Sequence, residues 1–289
     1  HVPGAVASRG LVEDCAVSGP LVLALVIGAL VALQLWFPWR RARRRAHLRS
    51  LPLSDAQRRE IAAAVPLVAQ MPNGYRAVFE GLVQQFLAEK RFVGCNGLRV
   101  TDHMRLVIAA QGCLLLIGRA GGCFDDLRTV LVYPDAFFVE HDAYDADGVV
   151  HAGRDLRAGE SWSNGQIVVS WADVELGAAD PDDAYNVVIH EFAHQLDGES
   201  GAVNGAPSLV QAEAAAHWPG RMRREYDALV RAVDRGAHTF IDPYAATDPA
   251  EFFAVLSEVF FEMPDALRQR HRVLYDCLDA VYGIDPARW

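Results

Sequence analysis

Residues 186–201 read NVVIHEFAHQLDGESG, and within them His190, Glu191 and His194 stand at HExxH spacing. An α-helix turns once in about 3.6 residues, so positions four apart lie one above the other and His190 and His194 point the same way. Two imidazoles so placed can hold one metal ion. Glu191 falls about 100° around the helix from His190, close enough to reach a water at that metal without ligating it. The arrangement suits metal-assisted hydrolysis. Histidines on an amphipathic helix are more often surface or core residues than ligands, and Val187, Val188, Phe192 and Leu196 would make a core face regardless. The context favours the metal: the segment is apolar and helix-compatible, no proline interrupts it, and Gly198 is a stop signal.

The chain has 289 residues, 52% of them hydrophobic and 22% charged, which suffices for a full core and excludes a disordered protein. Its net charge of -10 is unevenly spread. Residues 1–50 hold seven arginines against Glu13 and Asp14, so this segment carries +5 and the remainder -15. A body that acidic is a poor partner for nucleic acid, because phosphate contacts need a basic face.

No charged residue occurs from Cys15 to Trp39, and PLVLALVIGALVALQLWFPW, from Pro20, is long enough to cross roughly 30 Å of hydrocarbon. The pattern predicts one transmembrane helix over about residues 18–39. Trp36 and Trp39 stand where an aromatic belt belongs, and the basic run RRARRRAHLR follows at once. By the positive-inside rule the C-terminal side is cytoplasmic, which places the protein in the inner membrane as a single-pass chain. A cleaved signal peptide would carry its arginines before the apolar run and a small-residue cleavage site after it.

The five cysteines, Cys15, Cys95, Cys113, Cys123 and Cys277, form no CxxC pair and read as packed thiols. Ser54 and Gln57 form a capping box, and a second helix is expected from Asn73 to Lys90. RFVGCNGLRV, TVLVYP and FFVEHD read as strands, with a helical or buried segment starting near Thr101. Residues 166–171 (QIVVSW) read as a strand just ahead of the HExxH helix, provisionally the exposed sheet edge to which a substrate backbone could add, although the pattern alone suits an internal strand equally well. Further helices are expected from Ser208, after IDPYAATDP, and over Asp265–Tyr282.

A catalytic zinc takes three protein ligands and a water, so a third donor must come from elsewhere. Asp197 and Ser200 occupy the places of the glycine and third histidine of HExxHxxGxxH, which excludes that pattern. Asp197 itself could ligate, though an orienting or capping role suits it better. The remaining donor segment is DPYAATDPAEFFAVLSEVFFE, residues 242–262. Asp248 is a good N-cap and Pro249 a good first helical residue. Glu251 and Glu258, seven apart, share a face, and either could be the ligand; Glu251 could also merely complete a capping box with Asp248.

GESWSNGQIVVSW, NVVIHEFAHQLD, NGAP and DPYAATDPAEFFAVLSEVFF together resemble the MtfA (Mlc titration factor A) family of bacterial peptidases, relatives of the anthrax lethal factor catalytic domain. The likeness runs from about Leu51 to the C-terminus. It implies one Zn2+ ion held by His190, His194 and Glu251, with Glu191 as general base and Tyr244 as a donor to the oxyanion. It also implies an α+β, zincin-like domain of the gluzincin type, mainly helical with a small sheet, over residues 51–289, with the active-site half from about 159. The N-terminal span and arginine run, residues 1–50, are not part of the soluble members. The expected activity is zinc-dependent hydrolysis of a peptide or protein substrate. The alternative is a regulatory protein that binds and sequesters a transcriptional repressor, with peptidase activity secondary. A metal-dependent hydrolase acting on another carbonyl stays open beside both.

Overall fold

The computed structural model describes residues 19–135, 137–144, 150–157, 159–162, 165–199 and 201–289. The chain divides into two compact units, His1–His47 and Leu48–Trp289. Among the described residues the first holds α1 (Gly19–Arg49), whose last two residues belong to the second unit and which continues through Pro38 into the arginines. On it Leu23, Val26, Leu30, Leu35 and Trp39 are exposed. Arg40 lies over the Trp36 ring at 5.7 Å and Arg43 over Trp39 at 4.7 Å, the i,i+4 pairs that a helix surface allows.

Among the described residues no helix is long and apolar enough to cross a membrane. The span expected over about residues 18–39 is thus not borne out among the described residues, and its first residue lies outside them. From Arg40 onward the helix is cationic.

The second unit opens with α2 (Asp55–Ala64), whose Ser54–Gln57 capping box forms as expected, then α3 (Pro66–Gln70) and α4 (Asn73–Glu89). Strand β1 (Arg91–Gly94) leads to α5 (Asp102–Leu114), capped by Thr101, and to β2 (Thr129–Tyr133). Next come β3 (Phe137–Tyr144), β4 (Val150–Arg157), β5 (Gly159–Trp162) and β6 (Gln166–Ser170). Helix α6 (Trp171–Ala179) follows, then α7 (Val187–Gly198), α8 (Trp218–Asp234), α9 (Pro249–Glu262), α10 (Pro264–Arg270) and α11 (Arg272–Tyr282). The unit is thus mainly helical with a small sheet, as an α+β fold requires.

One sheet has the order β1-β2-β6-β5, its first two pairings parallel and the last antiparallel; β3 and β4 form a separate antiparallel pair. The expected edge assignment of residues 166–171 is therefore corrected. β6 lies between β2 and β5, and β5 takes the edge. The reason is legible afterwards: Ile167, Val168 and Val169 are all buried, which marks a strand covered on both faces rather than an alternating one. Trp171 is no longer strand but opens α6, where the Ser170 hydroxyl accepts from the Asp173 amide at 3.3 Å.

Two further boundaries differ. The helix expected from Ser208 begins only at Ala212 as a 3-10 turn and becomes α8 at Trp218. The last expected helix breaks at His271, which caps both α10 and α11. Cys95, Cys113, Cys123 and Cys277 are free thiols, and Cys15 lies outside the described residues.

The core is organised around α7 and α9, which pack against each other. From Phe252 to Glu262 every residue of α9 is buried. Helix α7 buries Val188, Ile189, Phe192, Ala193 and Leu196, with the Phe192 ring 4.8 Å from Phe124 and 5.6 Å from Phe86. Gly112 lets α5 approach: a Cβ there would stand 2.6 Å from the Phe192 ring. That contact fixes the back of the helix whose front carries the histidines.

Candidate active site

Helix α7 begins at Asn186, whose side-chain oxygen accepts from the Ile189 amide at 3.0 Å. This cap sets the helical phase in which His190 and His194 share a face. Their rings stand 4.9 Å apart, with Nε2 facing Nε2 at 3.2 Å. Helix α9 supplies the third donor. Asp248 caps it by accepting from the Ala250 and Glu251 amides at 2.8 and 3.0 Å, and Pro249 occupies its first turn. The Glu251 carboxylate turns away from the cap and lies 3.0 Å from His190 Nε2 and 3.5 Å from His194 Nε2. One ligand atom from each of the three residues falls within 4.8 Å of the others.

The donor chemistry fits a metal ion. Glu258 lies on the opposite side of the His190 ring, with Oε1 2.8 Å from Nδ1. An imidazole that donates its Nδ1–H to this carboxylate presents a lone pair at Nε2. That lone pair meets a second imidazole nitrogen and a carboxylate oxygen, three acceptors converging on one point. A metal ion at that point would engage all three. Burial disfavours a charged His190, but Glu251 and Glu258 outweigh it and lift its pKa well above the usual histidine value. Burial likewise acts to raise the Glu251 pKa, and the two histidines overturn this and hold it far below the usual carboxylate range.

Glu191 is buried, 4% exposed, one residue along from His190. Tyr244 is half exposed at 49%, and its ring centroid lies 6.2 Å from that of His190. It stands on a 3-10 turn, Pro243–Ala246, where Asp242 accepts from the Tyr244 amide at 2.7 Å. All five residues singled out in the sequence thus come from two segments that the fold brings together, α7 and the turn running into α9. Asp197 does not join the three donors. Its oxygens accept from the Gly205 and Ala206 amides at 2.6 and 2.7 Å, tying the NGAP loop to the end of α7. Gly205 has φ +75, and a Cβ there would stand 2.1 Å from the Pro249 carbonyl oxygen. Only glycine lets the loop pass so close to the start of α9.

Sequence reasoning did not foresee the buried polar group behind the histidines. The Asn186 amide donates to Glu258 Oε2 at 2.5 Å, and Asn186 Nδ2 donates to Glu262 Oε1 at 2.9 Å and to the Gly177 carbonyl at 3.1 Å. Burial raises the Glu258 pKa against the pull of His190. It pushes Glu262 up to about 9, with Asn186 opposing and the Glu258 charge adding to the rise. The signal was present as spacing. Glu251, Glu258 and Glu262 stand seven and four apart, one acidic stripe on an otherwise apolar helix.

Two histidines and a glutamate on facing helices, with a buried glutamate next to the first histidine, define a metallopeptidase-type site. Comparison with known proteins agrees. Residues 37–283 match the family of glucose-regulated metallo-peptidases M90, and the chain belongs to that family. It is 37% identical over 270 residues to an uncharacterised protein of Synechocystis sp., covering 92% of this chain and 97% of the relative. It is 37% identical over 232 residues to Mlc titration factor A of Pectobacterium atrosepticum (78% of this chain, 86% of the relative). With Mlc titration factor A of Cronobacter sakazakii the identity is 33% over 254 residues (86% and 92%). The resemblance to the MtfA family drawn from the motifs is thereby shown, and with it a metallopeptidase-type function.

Proposed function

We propose that the protein is a zinc-dependent peptidase in which His190, His194 and Glu251 hold one zinc ion. The observation that carries this reading is the approach of three ligand atoms to within 4.8 Å of one another, two imidazoles and one carboxylate. That is the donor set a catalytic zinc takes when it keeps one position open. When bound, zinc supplies Lewis-acid chemistry, activating water near neutral pH and polarising the peptide carbonyl. Glu191 accepts the proton of the attacking water on its carboxylate and passes it to the leaving amide nitrogen. The Tyr244 hydroxyl donates to the oxygen on which negative charge develops. Strand β5 ends the sheet and packs against α7, which offers an extended peptide a place to add as a further strand.

The experiment is metal content per purified chain, by elemental analysis, together with turnover of a panel of peptides and esters. Stoichiometric zinc and peptide hydrolysis abolished by a chelator support the reading. A metal-free protein that cannot be loaded removes it, and ester turnover without peptide turnover transfers the site to another hydrolase class.

The names of the relatives favour a second reading, in which the chain binds and titrates a transcriptional repressor through its surface. A pure binder does not need Glu191 as a base, so retention of repressor binding by Glu191→Gln without any turnover in the parent would select it. For the setting we propose the cytoplasmic face of the inner membrane, on the strength of the arginine run and the exposed apolar side chains of α1.

A further inference from the structure

Glu258 is 5% exposed, far from solvent for a carboxylate, and burying one costs free energy unless its oxygens are engaged. Both are. Oε1 lies 2.8 Å from His190 Nδ1, and Oε2 accepts from the Asn186 backbone amide at 2.5 Å. Asn186 is the N-cap of α7, where the unpaired amides and the helix dipole favour negative charge. The same residue caps α7 with its side-chain oxygen through the Ile189 amide. The carboxylate is therefore fixed to the very helix whose histidine it touches, and the angle at which His190 faces His194 and Glu251 is set from behind. An imidazole has two nitrogens. With Nδ1–H donated to Glu258, the lone pair must sit on Nε2, the atom facing His194 Nε2 at 3.2 Å.

We propose that Glu258 is a positioning residue for the metal centre: held by the Asn186 amide at the start of α7, it fixes the tautomer and ring orientation of His190. This rests on the reading of His190, His194 and Glu251 as metal ligands. Glu258 is no ligand itself; it acts through the ring. Partners of this kind raise the basicity of a ligating imidazole as well as aiming it, and losing one typically lowers metal affinity about 10- to 100-fold. Glu262 is the natural contrast. It lies one helical turn further along α9 and bonds the Asn186 side chain rather than a histidine.

The test compares the full-length parent with Glu258→Gln, Glu258→Ala and Glu262→Gln. Each variant is first shown to be folded by circular dichroism and thermal unfolding. Zinc affinity is then measured by competition with a chromophoric chelator, and the ring N–H of His190 is followed by nitrogen-15 NMR in the zinc-loaded protein. Glutamine at 258 can satisfy either the imidazole N–H or the Asn186 amide with its one oxygen, but not both. Glu258→Gln is expected to bind zinc roughly 10- to 100-fold more weakly. In the parent the Nδ1–H resonance should be slow to exchange with water, and in Glu258→Ala it should exchange fast. Glu262→Gln should leave both readouts at the parent values. Parent affinity and a protected Nδ1–H in a folded Glu258→Ala would overturn the proposal. So would an equal loss of affinity in Glu262→Gln, which would mark a structural effect of the whole buried group. A parent that takes up no zinc defeats the metal reading as well, and the two failures are told apart by that first measurement.

Discussion

Glu251 Oε2 lies 3.0 Å from His190 Nε2 across a separation of 61 residues. No local preference accounts for this contact. The capping role open to Glu251 is left to Asp248 alone, and the glutamate carboxylate is spent on the histidines instead. Removing it should leave the α9 cap intact while taking away one of the three proposed metal donors. Glu251→Ala is expected to fold and to lose more than about 100-fold in zinc affinity, beyond what a supporting residue contributes. Elemental analysis after dialysis against a weak chelator checks it, and a variant that keeps stoichiometric zinc would move the third donor elsewhere.

Glu191 and Tyr244 should separate chemistry from metal binding. Glu191→Gln keeps the shape of the buried side chain but cannot accept a proton. It is expected to hold zinc like the parent and to lose about 10²- to 10⁴-fold in turnover. Tyr244→Phe removes one hydroxyl from a half-exposed ring and should lose less, at most about 10²-fold, because the metal also polarises the carbonyl. Both are read as kcat on one cleavable peptide, with zinc per chain measured on the same samples. Full turnover in Glu191→Gln would exclude the proposed mechanism.

What could be read from the sequence follows from which forces are local. The Ser54–Gln57 box and the Asp248–Pro249 start are short-range signals, and the helices they open stand where they were expected. The HExxH spacing placed both histidines on one face for the same reason. Strand neighbours are not local: QIVVSW suits an edge strand and an internal one equally, and only the pairing with β2 and β5 places β6 inside the sheet. Helix α6 was passed over because Trp171–Ala179 follows the strand without a break. The choice between Glu251 and Glu258 could not be made from spacing either. Both share a face, and only the position of α9 against α7 puts one at Nε2 and the other at Nδ1.

The packing behind the site should matter to stability more than to chemistry. Phe192 is fully buried between Phe86 and Phe124 and meets Gly112 of α5. Phe192→Ala removes a large side chain from a rigid aromatic group and should destabilise the fold by about 3–5 kcal/mol. Gly112→Val should also destabilise, since the added atoms enter the space of the Phe192 ring. Urea unfolding of the two variants checks both. Unchanged midpoints would mean that the α5–α7 contact is loose enough to absorb either change.

Glu262 allows a prediction of sign for pH. Burial pushes its pKa up to about 9 in the folded protein, against 4.5 for the free group. Between those two values the folded chain holds a proton that the unfolded chain has released, so the parent should lose stability as pH rises through this window. Below about pH 4.5 both states are protonated and the contribution is flat. The slope from one such group is at most about 1.4 kcal/mol per pH unit. Glu262→Gln imitates the neutral carboxyl, keeps an oxygen for Asn186 Nδ2, and does not titrate. The variant should therefore be more stable than the parent near pH 8, with an advantage that shrinks toward pH 5. Unfolding free energies of the two proteins at pH 5, 6.5 and 8 decide it. Parallel pH profiles would mean that Glu262 is ionised in the folded chain, and a variant less stable at every pH would mean that the amide is not accommodated beside Asn186.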